Sequence, residues 1–180
     1  MMEWTDIVQQ VVAYPENHVV ITGGEPLLWP DMIPLASQLH VLGKHITVET
    51  AGTLMIEMQC DLMSISPKMS NSRPTPQQSA EWHTRHEVHR YRPDVVRKIM
   101  DRYEYQLKFV VESPDDLAEI ESFLDRLGSV ESERVLMMPQ GIRVEDLDSK
   151  RVWLEPLCAQ KGWVYCDRAH LRWFGNKRGT

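Results

Sequence analysis

Apolar positions along the chain alternate between two spacings, one typical of amphipathic helices and the other of short buried strands. The strand-like runs are His18–Ile21, His45–Glu49, Asp61–Ile65, Gln106–Val111, Val135–Met138 and Val164–Tyr165. Helical spacing occurs in residues 4–12, 30–42, 93–102, 114–127 and 144–161. Helices that alternate with strands are typical of βα units around a parallel sheet, so the pattern predicts an α/β fold, a partial (β/α) barrel.

Two helices carry clear local signals in the sequence. The helix over residues 30–42 should end at Gly43 and turn four side chains toward the sheet. These are Met32, Leu35, Leu39 and Leu42. Ser113 should cap another helix, with Pro114 at its first position and acidic residues in its first turn. Its expected buried stripe is Leu117, Ile120, Phe123, Leu124 and Leu127.

Three segments give weaker signals. Residues 66–92 contain prolines, histidines and many polar residues, which predicts a long functional loop with at most one helical turn. Pro156 should kink or divide the helix over Val144–Lys161, because proline removes a backbone hydrogen bond. Residues 170–174 are expected to form an aromatic strand that closes the chain.

Length and composition narrow the class of protein. The chain has 180 residues, 42% of them apolar and 26% charged, which suits one soluble domain over residues 1–180. The net charge of −6 argues against binding to duplex nucleic acid through phosphates. No apolar run has the roughly 20 residues that a bilayer requires, and the first residues lack a signal-peptide pattern. A cytoplasmic location is expected.

Polar turns follow several of the predicted strands. Residues 22–26 follow the first strand, 49–53 the second, 66–70 the third and 138–141 a later one. In α/β sheets and barrels, ligands bind at the carboxyl ends of the strands. The four turns are therefore expected to meet at one rim and to form a pocket.

The first turn offers bare backbone to a ligand. Gly23 and Gly24 lack Cβ atoms, so a small charged molecule can approach their peptide groups closely. Glu25 adds a carboxylate directly after them. An ordinary strand-to-helix turn would account for the same residues, so this run alone leaves both interpretations open.

The other turns carry groups that suit a nucleoside. Glu49 could accept hydrogen bonds from both ribose hydroxyls, or it could be a surface or capping acid. Ser66 and Lys68 offer a hydroxyl and a cation on a turn stiffened by Pro67. The backbone of residues 139–141 suits an adenine edge, and an ordinary turn is the alternative.

The run Gly23-Gly24-Glu25-Pro26 resembles a motif of radical S-adenosylmethionine (SAM) enzymes, in which backbone groups after a barrel strand hold the ammonium of SAM. Over nearly the whole length, the chain resembles the 7-carboxy-7-deazaguanine synthase family of these enzymes. The matching segments are residues 22–26, 49–53, 66–68, 107–111, 138–141 and the ending Arg168 to Gly179.

The resemblance implies a set of binding residues. SAM would be bound by residues matching Gly24, the turn Ser66-Pro67-Lys68 and the turn Met138-Pro139-Gln140-Gly141, with Gly23, Glu25 and Glu49 beside them. The pterin substrate would contact Thr22, and the resemblance also places Thr180 near it. His170 could be a pocket residue or a structural one.

The resemblance also implies a reaction in the queuosine (tRNA modification) pathway. With a 4Fe-4S cluster, SAM and magnesium, the complete enzyme would convert 6-carboxy-5,6,7,8-tetrahydropterin to 7-carboxy-7-deazaguanine. A radical formed from SAM would remove a hydrogen, and ring contraction would release ammonia. An electron donor such as flavodoxin is an expected partner, and the enzyme is expected to form a homodimer. Direct contact with nucleic acid or with a membrane is not expected.

The cluster ligands of that family are missing from this sequence. A C-x-x-x-C-x-x-C motif would bind the cluster, but the cysteines here are Cys60, Cys158 and Cys166, at wide spacings. All three are expected to be small buried hydrophobes or idle thiols. We expect that this chain alone cannot cleave SAM, either because its start lacks the family's first strand and cluster loop or because it is a cluster-free binding protein.

A different class of function is open as an alternative. His83, His86 and His89 are spaced so that they could share a helical face and hold a zinc ion. Nearby arginines, Arg85, Arg90 and Arg92, would repel a cation. A solvated loop or a contact with substrate or partner would explain the same residues.

Overall fold

The computed structural model describes residues 2–75, 77 and 79–177. The strands are β1 (His18–Ile21), β2 (His45–Thr50), β3 (Leu62–Ile65), β4 (Tyr105–Val111), β5 (Val135–Pro139) and β6 (Val164–Tyr165). The helices are α1 (Trp4–Val12), α2 (Met32–Val41), α3 (Ala80–His89), α4 (Pro93–Arg102), α5 (Leu117–Leu127), α6 (Val144–Lys161) and α7 (Ala169–Phe174). Short 3-10 turns cover Pro26–Leu28, Ser70–Ser72, Pro114–Asp116 and Ser132–Arg134. The strands follow one another in a six-stranded sheet in chain order, and every pairing described below is parallel. The expected α/β class is confirmed.

The chain divides into two compact units. The first contains the described residues of Met1–Ile65 together with Asp94–Gln106. Its strands β1, β2 and β3 pair in that order, and β4 starts beside β3, where the Met63 amide donates to the Glu104 carbonyl at 2.9 Å. Its core is made of the fully buried side chains Ala36, Leu39, Ile46, Val48, Met63, Ile65, Val96 and Ile99.

The second unit contains Ser66–Pro93 and the described residues from Leu107 onward. Here β4, β5 and β6 pair in parallel, with Phe109 opposite Met137 and Met137 opposite Tyr165. Phe109 packs edge-on against Phe123 of α5, with 6.0 Å between the ring centroids. The fully buried side chains here include Leu107, Phe109, Ile120, Phe123, Met137, Leu147 and Leu154. A single domain over the whole chain stays a prediction.

Several local predictions are confirmed. The bounds of α1, α4 and α6 agree with the sequence pattern, and α2 ends before Gly43, which has a φ of +73°. The start of α5 is also as expected, although a 3-10 turn precedes it. Ile120, Phe123 and Leu127 of its stripe are buried, whereas Leu117 and Leu124 are half-buried.

The loop prediction for residues 66–92 is wrong, because α3 occupies Ala80–His89. The sequence of α3 has no apolar stripe, so hydrophobic spacing could not reveal this helix. Polar contacts hold it to the preceding residues. The His83 ring nitrogen Nδ1 lies 2.9 Å from the Pro74 carbonyl oxygen, and His86 Nε2 lies 3.1 Å from Ser72 Oγ.

Two smaller predictions are also wrong, and a third is decided only in part. Residues 170–174 belong to the helix α7, not to a strand, because only Leu171 of the segment is buried and Arg172 pairs with Asp167 and Asp148. Leu42 is 43% exposed, since it follows the last turn of α2. Pro156 lies inside α6 without dividing it, and a kink at Pro156 stays a prediction.

Among the described residues, no helix combines the length and apolar character needed to span a bilayer.

Candidate functional site

The turn after β1 is open around its two glycines. Gly23 has a φ of +146°, a conformation that residues with a Cβ rarely adopt. A Cβ built on either Gly23 or Gly24 would meet no atom within 4 Å. Open space therefore lies beside the backbone of this turn, and binding of a ligand there stays a prediction.

The Glu25 carboxylate joins this turn to the one after β2. Its Oε1 atom accepts hydrogen bonds from the Leu27 amide at 3.2 Å and from Thr50 Oγ1 at 2.8 Å. Its Oε2 atom accepts from the Ala51 amide at 2.9 Å. Because both oxygens bind protein donors, the carboxylate orders the two turns. The expectation that Glu25 binds the cofactor directly stays a prediction.

Thr22 and Glu49 are neighbours across the ends of β1 and β2. Thr22 Oγ1 donates to Glu49 Oε2 at 3.0 Å, and the register explains the contact, since Ile21 lies opposite Val48. Thr22 is exposed and Glu49 is half-buried. The structure thus brings together the residues predicted for substrate and ribose, next to the glycine turn.

Gly52 was not assigned a role from the sequence, yet it is the most crowded glycine of the first unit. A Cβ there would lie 2.7 Å from Val96 Cγ2 and 2.8 Å from Ile65 Cγ2, and its φ is +70°. The turn after β2 therefore packs directly on α4 and the end of β3. Only a glycine fits this position.

In the second unit, the turn after β3 is fastened by residues distant in sequence. Pro67 and Met69 are buried, whereas Lys68 is exposed. The Ser70 amide and hydroxyl donate to Glu119 Oε2 at 2.9 and 2.6 Å. Arg90 contacts both the Lys68 carbonyl oxygen and the Glu119 carboxylate. No pattern in the sequence indicated that Glu119 and Arg90 would contact this turn.

Several backbone groups of the turn after β5 form hydrogen bonds with other parts of the protein. The Gln140 amide donates to the Val111 carbonyl at 2.8 Å. The Gln140 and Gly141 carbonyls each accept at 2.8 Å, from Lys150 Nζ and from Arg168 Nη1. These three groups are engaged, so an adenine edge would have to contact other atoms of Met138–Gly141.

Both turns of the second unit reach the end of β4. Asn71 Nδ2 donates to the Val110 carbonyl at 3.0 Å, and Gln140 binds the next carbonyl, that of Val111. Residues 66–72 and 138–141 therefore flank the carboxyl end of the same strand, and the pocket expected from the four turns stays a prediction.

The other two residues predicted to contact the substrate are His170 and Thr180. His170 is exposed on α7. Thr180 lies outside the described residues.

The structure does not gather the histidines of the zinc alternative into a site. His83 and His86 contact Pro74 and Ser72, and His89 is exposed. In the described part of the chain, no group of three or more His, Cys, Asp or Glu side chains could hold a metal ion.

The cysteines are free thiols, and two of them are strongly shielded from ionisation. Burial raises the pKa of Cys60 and the pKa of Cys158 to about 11 each. A 4Fe-4S cluster needs several cysteine ligands at one place, and the described residues bring no three such side chains together, so the cysteines of this chain do not fit the cluster.

The fold and these turns define the chain as an α/β protein with polar, glycine-containing turns at the carboxyl ends of parallel strands. It is 42% identical over 176 residues to the 7-carboxy-7-deazaguanine synthase of Rhodopirellula baltica, an alignment covering 97% of this chain and 68% of the relative. Identity to the enzyme of the same name from Halobacterium salinarum is 39%, covering 94% of this chain and 70% of the relative. The chain belongs to the 7-carboxy-7-deazaguanine synthase family.

A solved structure has a fold similar to that of this chain. QueE from Escherichia coli superimposes with a TM-score of 0.61 at 21% sequence identity, covering 91% of this chain. The chain spans 61% of the length of that structure. No family model matches the sequence.

Proposed function

We propose that this chain binds SAM at the turn after β1 and serves the formation of 7-carboxy-7-deazaguanine from 6-carboxy-5,6,7,8-tetrahydropterin, a radical SAM lyase reaction with loss of ammonia. Membership of the family supports the reaction class. The observation that carries the site is the open space at Gly23 and Gly24, beside the Thr22–Glu49 pair.

The roles of the residues follow from their chemistry. Backbone carbonyls of the Gly23-Gly24 turn would accept hydrogen bonds from the ammonium of SAM, because no side chain keeps a ligand away from them. Glu49 would accept from ribose hydroxyls, and the Thr22 hydroxyl would contact the pterin. SAM supplies the reactive group when it is bound, while the protein binds and orients it.

The turns of the second unit would hold further parts of SAM. Ser66, Pro67, Lys68 and residues 138–141 would supply a hydroxyl, a cation and backbone groups for this purpose. An electron donor, magnesium and a dimeric state belong to the proposal for the complete enzyme. Because its cysteines do not fit a cluster, we expect the chain by itself to bind SAM without cleaving it.

Calorimetric titration of SAM into the purified chain, compared with a Gly24→Ala variant, tests the site. Gly24 has no positive φ and its Cβ would enter open space, so the variant should fold normally. If the ligand approaches this backbone, the added methyl group should raise the Kd for SAM by about tenfold or more. An unchanged Kd would contradict the proposed site.

Gly43→Ala is the matched control for this titration. A Cβ at Gly43 also meets no atom within 4 Å, but the residue lies before β2, at the opposite end of the strand from Glu49. Its positive φ should cost some stability. SAM affinity should nevertheless stay at the level of the unmodified chain.

A cluster-free SAM or nucleotide-binding protein is the second candidate, and it is favoured because the described residues bring no three potential cluster ligands together. Titration with ATP tests its nucleotide-binding form. The proposed enzyme function requires preference for SAM, whereas a general nucleotide binder would take both ligands with similar affinity.

A further inference from the structure

One carboxylate in the second unit gathers donors from two segments that are far apart in sequence. Glu119, a half-buried residue of α5, accepts from the Ser70 amide at 2.9 Å and from the Ser70 hydroxyl at 2.6 Å. Arg90, directly after α3, donates to its other oxygen at 2.7 Å. Hydrogen bonds to a charged group are stronger than those between neutral groups, so this is a firm attachment.

Arg90 extends the attachment to the turn itself. Its Nη1 atom also lies 3.3 Å from the Lys68 carbonyl oxygen. The Arg90 side chain is only 11% exposed and that of Glu119 is 26% exposed. Removing one partner from a shielded ion pair leaves the other charge poorly solvated, so these two residues depend on each other.

The charge on Glu119 is favoured by the same contacts. Partial burial acts to raise the pKa of this carboxyl, but hydrogen bonds from Ser70 and Arg90 outweigh burial and lower the pKa. Glu119 is therefore ionised at neutral pH, which the contact with Arg90 requires.

We propose that Glu119 and Arg90 are positioning residues that hold residues 66–70 in the conformation that binds ligand. This inference rests on the proposed function, in which Ser66, Pro67 and Lys68 contact SAM. Neither side chain needs to touch SAM. Their contribution is to fix Lys68 and Ser70, so that less conformational entropy is lost when the ligand binds.

The test compares SAM titration, thermal unfolding and amide hydrogen exchange for three variants of the chain. Glu119→Ala removes the carboxylate, Glu119→Gln keeps its shape without its charge, and Ser70→Ala removes one donor. Glu121→Ala is the matched control, because Glu121 lies on the same helix and pairs only at the surface, with Lys161 at 2.7 Å.

We expect Glu119→Ala to raise the Kd for SAM by about tenfold, with smaller increases for Glu119→Gln and Ser70→Ala. Amide exchange in residues 66–72 should become faster in the same order. Glu121→Ala should change neither quantity. In the double variant of Ser70 and Glu119, the two effects should not add, because the side chains share one interaction.

Two results would overturn the inference. The first is an unchanged Kd in Glu119→Ala and Glu119→Gln while thermal stability falls, since that describes a purely structural ion pair. The second is unchanged amide exchange in residues 66–72, which would show that Glu119 does not hold the turn. If the unmodified chain binds no SAM, the proposed function fails, and the exchange measurement still decides whether Glu119 holds the turn.

Discussion

Gly52 and Gly24 show how differently two glycines can serve neighbouring turns. Gly24 faces open space, which suits close approach of a ligand, whereas a Cβ at Gly52 would collide with Val96 and Ile65. Glu25 joins the two turns through Thr50 and Ala51. The sequence predicted the open turn from its glycine pair, but it could not reveal the crowding at Gly52, which depends on packing between distant segments.

Replacement of Gly52 by alanine should destabilise the first unit strongly. The φ of +70° disfavours any residue with a Cβ, and the methyl group would lie 2.7 Å from Val96. Together, the backbone strain and the overpacking should lower the free energy of unfolding by about 2 to 4 kcal/mol. Urea unfolding followed by circular dichroism measures this loss. A loss no larger than that of Gly24→Ala would show that the packing at Gly52 is wrong.

At the scale of elements, most helices and strands could be predicted because their apolar spacing matches their burial. β1 and β6 begin and end as predicted, and Ile120, Phe123 and Leu127 form the expected buried face of α5. The two misassigned segments share one cause, since the sequence of α3 has no apolar stripe and α7 buries only Leu171. Polar contacts to residues such as Ser72 and Asp148 hold these helices, and no periodicity within a helix could indicate them.

The start of α5 gives an element-scale prediction. Asp116 Oδ2 accepts hydrogen bonds from the Glu112 amide at 2.7 Å and from the Ser113 amide at 3.0 Å. Asp116→Ala should therefore lower the free energy of unfolding by about 1 kcal/mol, the usual effect of losing a helix cap. Asp115→Ala, at the adjacent exposed position, is the control, and equal losses in the two variants would argue against the cap.

At the scale of the whole molecule, the sequence predicted the α/β class and the order of polar turns after the strands. It also placed the chain in its family through motifs that extend from Thr22 to the C-terminal segment. The fastening of the turns by Glu119, Arg90, Lys150 and Arg168 was not predictable, because these residues lie on helices or loops far from the turns in sequence. Their importance depends on where the fold brings them.

Amide hydrogen exchange of the chain with and without SAM tests the central claim most directly, because it locates the ligand. We predict that SAM slows exchange at residues 22–26 and 49–52, where the open glycine turn and the Thr22–Glu49 pair lie, and at residues 66–70. No protection in residues 22–26 and 49–52, with SAM bound at saturation, would contradict the account.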